Sequence, residues 1–239
     1  MSARFASAIQ AENERGFVAV IPDIKCISPK EGDLLQGRDP VDTAKYLVHC
    51  GAPVLSVVTE RERFGGSPEL LRTIAKETDV PVLRKDFIVN ADMLKETWEL
   101  GAAAVLLICA IMDEETLGRL YEKALNLGLE PFVEVCAAQE MEWANKLGAR
   151  LTGINNRDIV TLERDDGGSS RTAALAGSVS KDALLISESG ILSPEDAKLA
   201  VLAGANAILV GTALWRAGDM GGMYKSLRVE MRACPCAQL

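Results

Sequence analysis

The chain has 239 residues, nearly half of them apolar and a quarter charged, with a formal net charge of −8 and a single histidine. Such a composition builds a sizeable buried core and excludes a disordered chain, while the acidic balance without any run of Lys and Arg excludes a nucleic-acid surface. No stretch approaches the roughly 20 apolar residues of a membrane helix, and Met1 to Arg15 is too polar for a secretory leader, so no membrane association and a cytoplasmic location are expected.

In chain order, residues 1–16 read as a short N-terminal extension. Eight short β-branched or aliphatic runs follow: Val18 to Lys25, Val54 to Thr59, Val82 to Lys85, Ala104 to Ile108, Glu130 to Val135, Leu151 to Asn155, Ala183 to Glu188 and Ala207 to Val210. Helical stretches separate them. Asp39-Pro40, Ser67-Pro68-Glu69 and Ser193-Pro194-Glu195 supply N-caps with proline at the first helical position. Gly51-Ala52, Gly101-Ala102, Gly148-Ala149 and Gly204-Ala205 close helices with a left-handed glycine and lead into the next strand. Near-continuous apolar strands alternating with amphipathic helices predict a parallel sheet covered by helices, and eight such units fit closure into a (β/α)8 TIM barrel. The expected organisation is a single α/β domain over residues 1–239, with 233–239 a tail. An open doubly wound sheet lacks its Gly-rich loop, because Cys26-Ile27-Ser28-Pro29 follows the first strand.

A barrel of this kind carries its chemistry at the C-terminal ends of its strands. Those ends are ionic here. The first finishes in Asp23-Ile24-Lys25, whose two-residue period sets both charges on one face. The third runs into Arg84-Lys85-Asp86-Phe87, the fifth carries Glu134, the sixth delivers Asn155-Asn156-Arg157-Asp158 and the seventh ends in Ser187-Glu188-Ser189-Gly190. Gathering so many charges for stability alone is costly, since each buried ion has to be paired. Ser189-Gly190 and Gly211-Thr212 are small residues at the two loops where barrels bind phosphate, and Thr212 is expected to open a short helix to Arg216.

Other chemistries have little support. The six cysteines include no CxxC pair and His49 falls within a predicted helix, so no metal set and no triad is expected. Cys26, Cys109 and Cys136 follow strand ends and read as small apolar packing groups, and Cys234-Pro-Cys236 in the tail is assigned no function.

At these residues the sequence resembles the indole-3-glycerol phosphate synthase family. The matching segments are Asp23-Ile-Lys-Cys-Ile-Ser-Pro-Lys-Glu-Gly32, Leu55-Ser-Val-Val-Thr59, Phe64-Gly-Gly-Ser67, Pro81-Val-Leu-Arg-Lys-Asp-Phe-Ile88, Val133-Glu-Val135, Gly153-Ile-Asn-Asn-Arg-Asp158, Ser187-Glu-Ser-Gly-Ile191 and Val210-Gly211. The resemblance implies ring closure, decarboxylation and dehydration of 1-(2-carboxyphenylamino)-1-deoxyribulose 5-phosphate, without a cofactor. It implies that Lys85 is the general acid, with a pKa lowered by desolvation or nearby cations. Lys25 would hold the substrate carboxylate, Glu134 would do acid-base work in the dehydration, and Asp23, Asn155 and Glu188 would complete the catalytic set. Ser28, Ser189, Gly190, Gly211 and Thr212 would contact phosphate, Phe87 would pack on the aromatic ring, and Arg157 joins the substrate-binding residues.

Three departures stand out. Asp23 replaces a glutamate, Lys30 stands where serine is frequent, and the family usually carries a longer N-terminal extension over the barrel mouth. They favour one alternative, a paralogous lyase or cyclase on a related phosphorylated substrate; a second, a non-catalytic metabolite-binding barrel, is opposed by the presence of Lys25, Lys85 and Glu134 together. Partners expected are a small phosphorylated molecule and at most a second copy of the chain, as monomer or homodimer.

Overall fold

The computed structural model describes residues 4–157 and 170–231. The expected Asp158 and the Cys234 and Cys236 of the tail lie outside the described residues. Helix α1 (Arg4–Glu14) is followed by β1 (Ala19–Ile24), a hairpin of β2 (Ile27–Ser28) and β3 (Gly32–Asp33), and α2 (Pro40–His49). Then come β4 (Leu55–Val58), α3 (Pro68–Glu77), β5 (Val82–Lys85), α4 (Ala91–Glu99), β6 (Ala104–Ile108), α5 (Glu114–Leu127), β7 (Glu130–Val135), α6 (Ala138–Lys146) and β8 (Leu151–Asn155). The chain continues through α7 (Ser170–Leu175), β9 (Leu184–Glu188), α8 (Pro194–Leu202), β10 (Ala207–Val210), α9 (Thr212–Arg216) and α10 (Met220–Leu227). Strands β1 and β4 to β10 pair in parallel and close into a barrel, β1 joining both β4 and β10.

Local signals operate as read. Asp39, Ser67 and Ser193 each accept backbone N–H groups of the helix they precede, and Ser193 with Asp196 forms a reciprocal capping box. The four Gly-Ala helix ends take positive φ at the glycine. Side chains alternate along each strand. Val20, Ile24, Val57, Val105, Val133, Ile154 and Ile208 point outward and pack under the helices, whereas Ala19, Ile21, Leu83, Leu106, Phe132, Leu151, Ile186 and Leu209 fill the barrel. Each large apolar side chain so buried contributes about 1.5–3 kcal/mol.

Helix α1 was not legible as a helix. It seals the barrel floor, the end away from the strand C-termini, with Phe5, Ala6 and Ile9 fully buried in the interior cluster. The Glu130 carboxylate, at the start of β7, accepts from the backbone N–H of Phe5 and Ala6 at 2.6 and 3.0 Å, satisfying orphan donors of the first turn. Asn13 donates to the carbonyls of Phe17 and Asn206, and Glu12 pairs with Arg228 and Arg15. The described N-terminal residues thus lie on the opposite face from the mouth.

Candidate active site

The inward positions continue upward from the apolar interior into charge. Asp23, Lys85, Glu134, Asn155 and Glu188 occupy the top inward place on β1, β5, β7, β8 and β9, by the same alternation that points Ile21, Leu83, Phe132, Leu151 and Ile186 inward lower down. Above them opens a cavity of about 190 Å³, walled by Val58, Phe64, Leu106, Ile108 and Leu209 among the polar groups. Every expected site residue lines it except Glu188, which lies fully buried beneath Lys85.

Lys85 is the hub. Its Nζ donates to Glu188 Oε2 at 2.6 Å and stands 3.9 Å from Glu134 Oε2. Burial alone would lower its pKa, but the carboxylates of Glu188, Glu134 and Asp23 outweigh burial and raise it above the ordinary lysine value. This corrects the lowered value expected from sequence. The adjacent cation Arg84 points to the other face, where it is buried against Thr59, Asp86, Glu96 and Thr97. Lys25 is the lysine with the lowered pKa: desolvation, with Lys85 and Arg157 nearby, outweighs the attraction of Asp23 and Glu31.

Glu134 is pushed up to about 8, first by burial and then by the neighbouring Glu188; Lys85 and an Asn155 Nδ2 bond at 3.2 Å offset only part of this. Burial of this kind favours the neutral form of the carboxyl. The mouth then presents Lys25, Lys85 and Arg157 against the carboxylates of Asp23 and Glu188, which favours an anionic ligand.

Asp23 is fixed from two sides. Its carboxylate accepts from Ser56 Oγ at 2.7 Å, directly across the β1–β4 pairing, and its carbonyl accepts from the buried Trp215 Nε1 at 2.9 Å. Lys25 lies over the Phe64 ring, 5.8 Å from its centre. Phe87 is held at the rim: Asp86 accepts its backbone N–H at 2.8 Å while Arg84 grips Asp86, and Arg63 stacks on its ring.

The small-residue loops meet on the far side of the mouth. Ser189 and Gly190 take consecutive positive φ values of 63° and 72°, a strained conformation for serine. Asn156 braces that turn, donating to the carbonyls of Glu188 and Ser189, and is itself locked to Thr172 and Ser187. Gly211 and Thr212 lead into α9 as expected, and Ser28 approaches from the β2–β3 hairpin. Lys30, Arg157 and Thr212 also line an adjoining surface pocket that runs to Arg216, which is paired with Glu31 at 3.0 Å.

Sequence reasoning missed Ser56, Asn156, Thr172, Arg171 and Gly153 as supports of the site. Arg171 donates to the carbonyls of Asn155 and Arg157 at 2.9 Å each. Cys109 is buried in the outer core and Cys26 is buried near the mouth, and burial raises the pKa of both thiols and of Cys136, the last to about 12. None of the three lines the cavity; Cys109 packs in the outer core, while Cys136 is half-buried with its Sγ donating to the Arg157 carbonyl at 3.9 Å.

The family model described as indole-3-glycerol phosphate synthase matches residues 2–227. An indole-3-glycerol phosphate synthase of Thermococcus kodakarensis is 44% identical over 201 residues, 84% of this chain and 88% of that protein. Those of Pyrococcus furiosus and Deinococcus radiodurans are 43% and 39% identical, covering 86% and 94% of this chain and 90% and 84% of theirs. A match over nearly the whole barrel, on relatives of which this chain covers most of the length, means that the protein belongs to the indole-3-glycerol phosphate synthase family.

Proposed function

We propose that this protein converts 1-(2-carboxyphenylamino)-1-deoxyribulose 5-phosphate to indole-3-glycerol phosphate, carbon dioxide and water. The observation that carries the reading is Lys85 standing over a buried carboxylate pair, with a second, lower-pKa lysine beside it in one anion-favouring mouth.

Ser28, Ser189, Gly190, Gly211 and Thr212 take the phosphate, while Lys25 and Arg157 take the carboxylate end and Phe87 faces the aromatic ring. So held, the ring carbon and the ribulose carbonyl are oriented for attack. Lys85 donates a hydrogen bond to the carbonyl oxygen and yields its proton as that oxygen becomes an alkoxide. Its raised pKa does not prevent this, because an alkoxide is far more basic than an amine and the ammonium also stabilises the developing charge. Loss of carbon dioxide restores the aromatic ring, and Glu134 serves the dehydration. Asp23, Asn155 and Glu188 position the lysines and Glu134. Of the departures that favour the paralogue reading, Asp23 is fixed at the mouth by Ser56, and Lys30 stands in the cavity wall. The same proposal takes residues 1–239 as one domain and locates the enzyme in the cytoplasm, as a monomer or homodimer, with its described cysteines as free thiols.

The test is indole fluorescence on adding the substrate to wild type and to Lys85→Ala. Rapid signal from wild type and at least about 100-fold less from the variant is expected. A folded wild type that binds inorganic phosphate but forms no indole refutes the proposal.

A further inference from the structure

Glu134 and Glu188 stand on strands that are not neighbours, since β8 runs between β7 and β9. In the pairing register Glu134 faces Gly153 and Asn155 faces Glu188. A Cβ at Gly153 would fall closer than 3.0 Å to Glu188 Oε1 and to the Phe132 ring. The space that a side chain on β8 would take is therefore filled by the Glu188 carboxylate, and one Lys85 Nζ lies 2.6 Å from Glu188 Oε2 and 3.9 Å from Glu134 Oε2, which gathers the two carboxyls around a single point.

Both carboxyls are shut off from water, at 1% and 0% exposure. Glu188 Oε2 accepts from Lys85 and Glu134 Oε1 from Asn155. Glu134 Oε2 is 3.9 Å from Lys85, beyond a hydrogen bond, and Glu188 Oε1 is buried with no donor among the described residues. Two bare carboxylates gathered around one Lys85 Nζ would repel, and the orphan acceptor would stay unsatisfied. One proton removes both penalties by making a short O–H···O⁻ bond.

We infer that Glu134 and Glu188 hold one proton between them in the resting protein, carried on Glu134 and donated to Glu188 across Gly153, so that Glu134 enters the reaction as an acid. The proton sits on Glu134 because Lys85 is bonded to Glu188 and not to Glu134. The ionisable groups around the pair are Asp23 and Lys25 from the end of β1, Lys85 from β5, and Arg157 beyond β8. Cys109 and Cys136 follow β6 and β7, with Glu140 of α6 and Arg171 of α7 behind them. Burial keeps both thiols neutral, so Lys85 is the cation that decides between the two carboxyls.

The catalytic use of the pair rests on the reaction proposed above; its existence does not. In that reaction Lys85 loses a proton to the carbonyl oxygen as the carbon–carbon bond forms, and carbon dioxide departs leaving its electron pair to the ring. Glu134 then protonates the departing hydroxyl, the carbon–oxygen bond breaks, and water leaves. The proton on the adjacent carbon passes to the neutral Lys85 amine, and Glu134 recovers its proton from solvent. One proton is consumed overall, matching the carboxylate lost as carbon dioxide.

The test is a pH titration of the ligand-free full chain carrying glutamate labelled with ¹³C at the carboxyl carbon, followed by NMR. One glutamate is expected to keep its proton up to about pH 8, with its signal absent from the isosteric Glu134→Gln. In Glu188→Gln the same titration is expected about one unit lower or more. All wild-type glutamates ionising below about pH 6 would overturn the shared proton. With substrate, Glu134→Gln is expected to release carbon dioxide while forming roughly 100-fold less indole; equal loss of both products overturns the acid role. A wild type that shows the shared proton yet releases neither product refutes the proposed reaction and leaves the pair standing.

Discussion

Replacing Gly153 by alanine separates the physics of this site from general tolerance. The new methyl would lie under 3.0 Å from Glu188 Oε1 and from two carbons of the Phe132 ring, all of them fully buried. The ring cannot retreat, being packed in the barrel interior, so the carboxylate has to move by roughly 1 Å. A shift of that size at a catalytic group costs about 100-fold in turnover, and overpacking a filled interior costs about 1–3 kcal/mol. Gly118 in α5 is the control, because among the described residues a Cβ there meets only Leu147 Cδ2, at 3.9 Å. Gly118→Ala is expected to stabilise by about 0.5–1 kcal/mol, from lower backbone entropy in the unfolded chain, with kcat unchanged. Urea unfolding followed by tryptophan fluorescence, with kcat from indole formation, reads both. A Gly153→Ala protein of wild-type stability and turnover would refute the claim that the glycine makes room for Glu188.

Removing the buried guanidinium in Arg84→Met strands Asp86 and should cost about 3–5 kcal/mol, with a raised KM because Asp86 holds the Phe87 backbone; a loss under about 1 kcal/mol in urea would contradict this. Glu130→Ala takes the cap from α1 and should cost about 0.5–2 kcal/mol, read as faster hydrogen exchange over residues 4–14 with kcat preserved. Slowed or unchanged exchange there would count against the floor seal. Glu134 contributes a pH-dependent stability with a definite sign: its folded pKa of about 8 exceeds the ordinary 4.5, so its contribution is full below the ordinary value and declines as pH rises through 8. Glu134→Gln should accordingly gain stability relative to wild type by a few kcal/mol between about pH 5 and 9, and parallel curves would disprove it.

The eight strands were legible because each is a short apolar run, four of them preceded by a Gly-Ala helix stop, and their bounds agree to within a residue or so. The position of the mouth charges followed from the two-residue period. What failed was anything decided by another strand. Arg84 and Lys85 are adjacent in sequence and suggest mutual repulsion, yet alternation sends them to opposite faces and leaves Lys85 among carboxylates from β1, β7 and β9. Ser56 and Gly153 acquire their roles only through register with Asp23 and Glu134. Helix α1 has few apolar residues, and its partners lie more than 120 positions away at Glu130, Asn206 and Arg228. No local pattern announces such contacts.

The barrel floor also sets the order in which the molecule can be completed. Val18 donates to the Val229 carbonyl, Met231 to that of Gly16, and Phe17 bridges Glu230, while β1 pairs along its length with β10. The first strand therefore finds its last neighbours among residues made some 190 to 215 positions later. During synthesis the sheet must wait with β1 and the growing end as open edges, exposed to pairing with other chains. Closure depends on contacts of very high sequence separation, the kind that form slowly in folding chains.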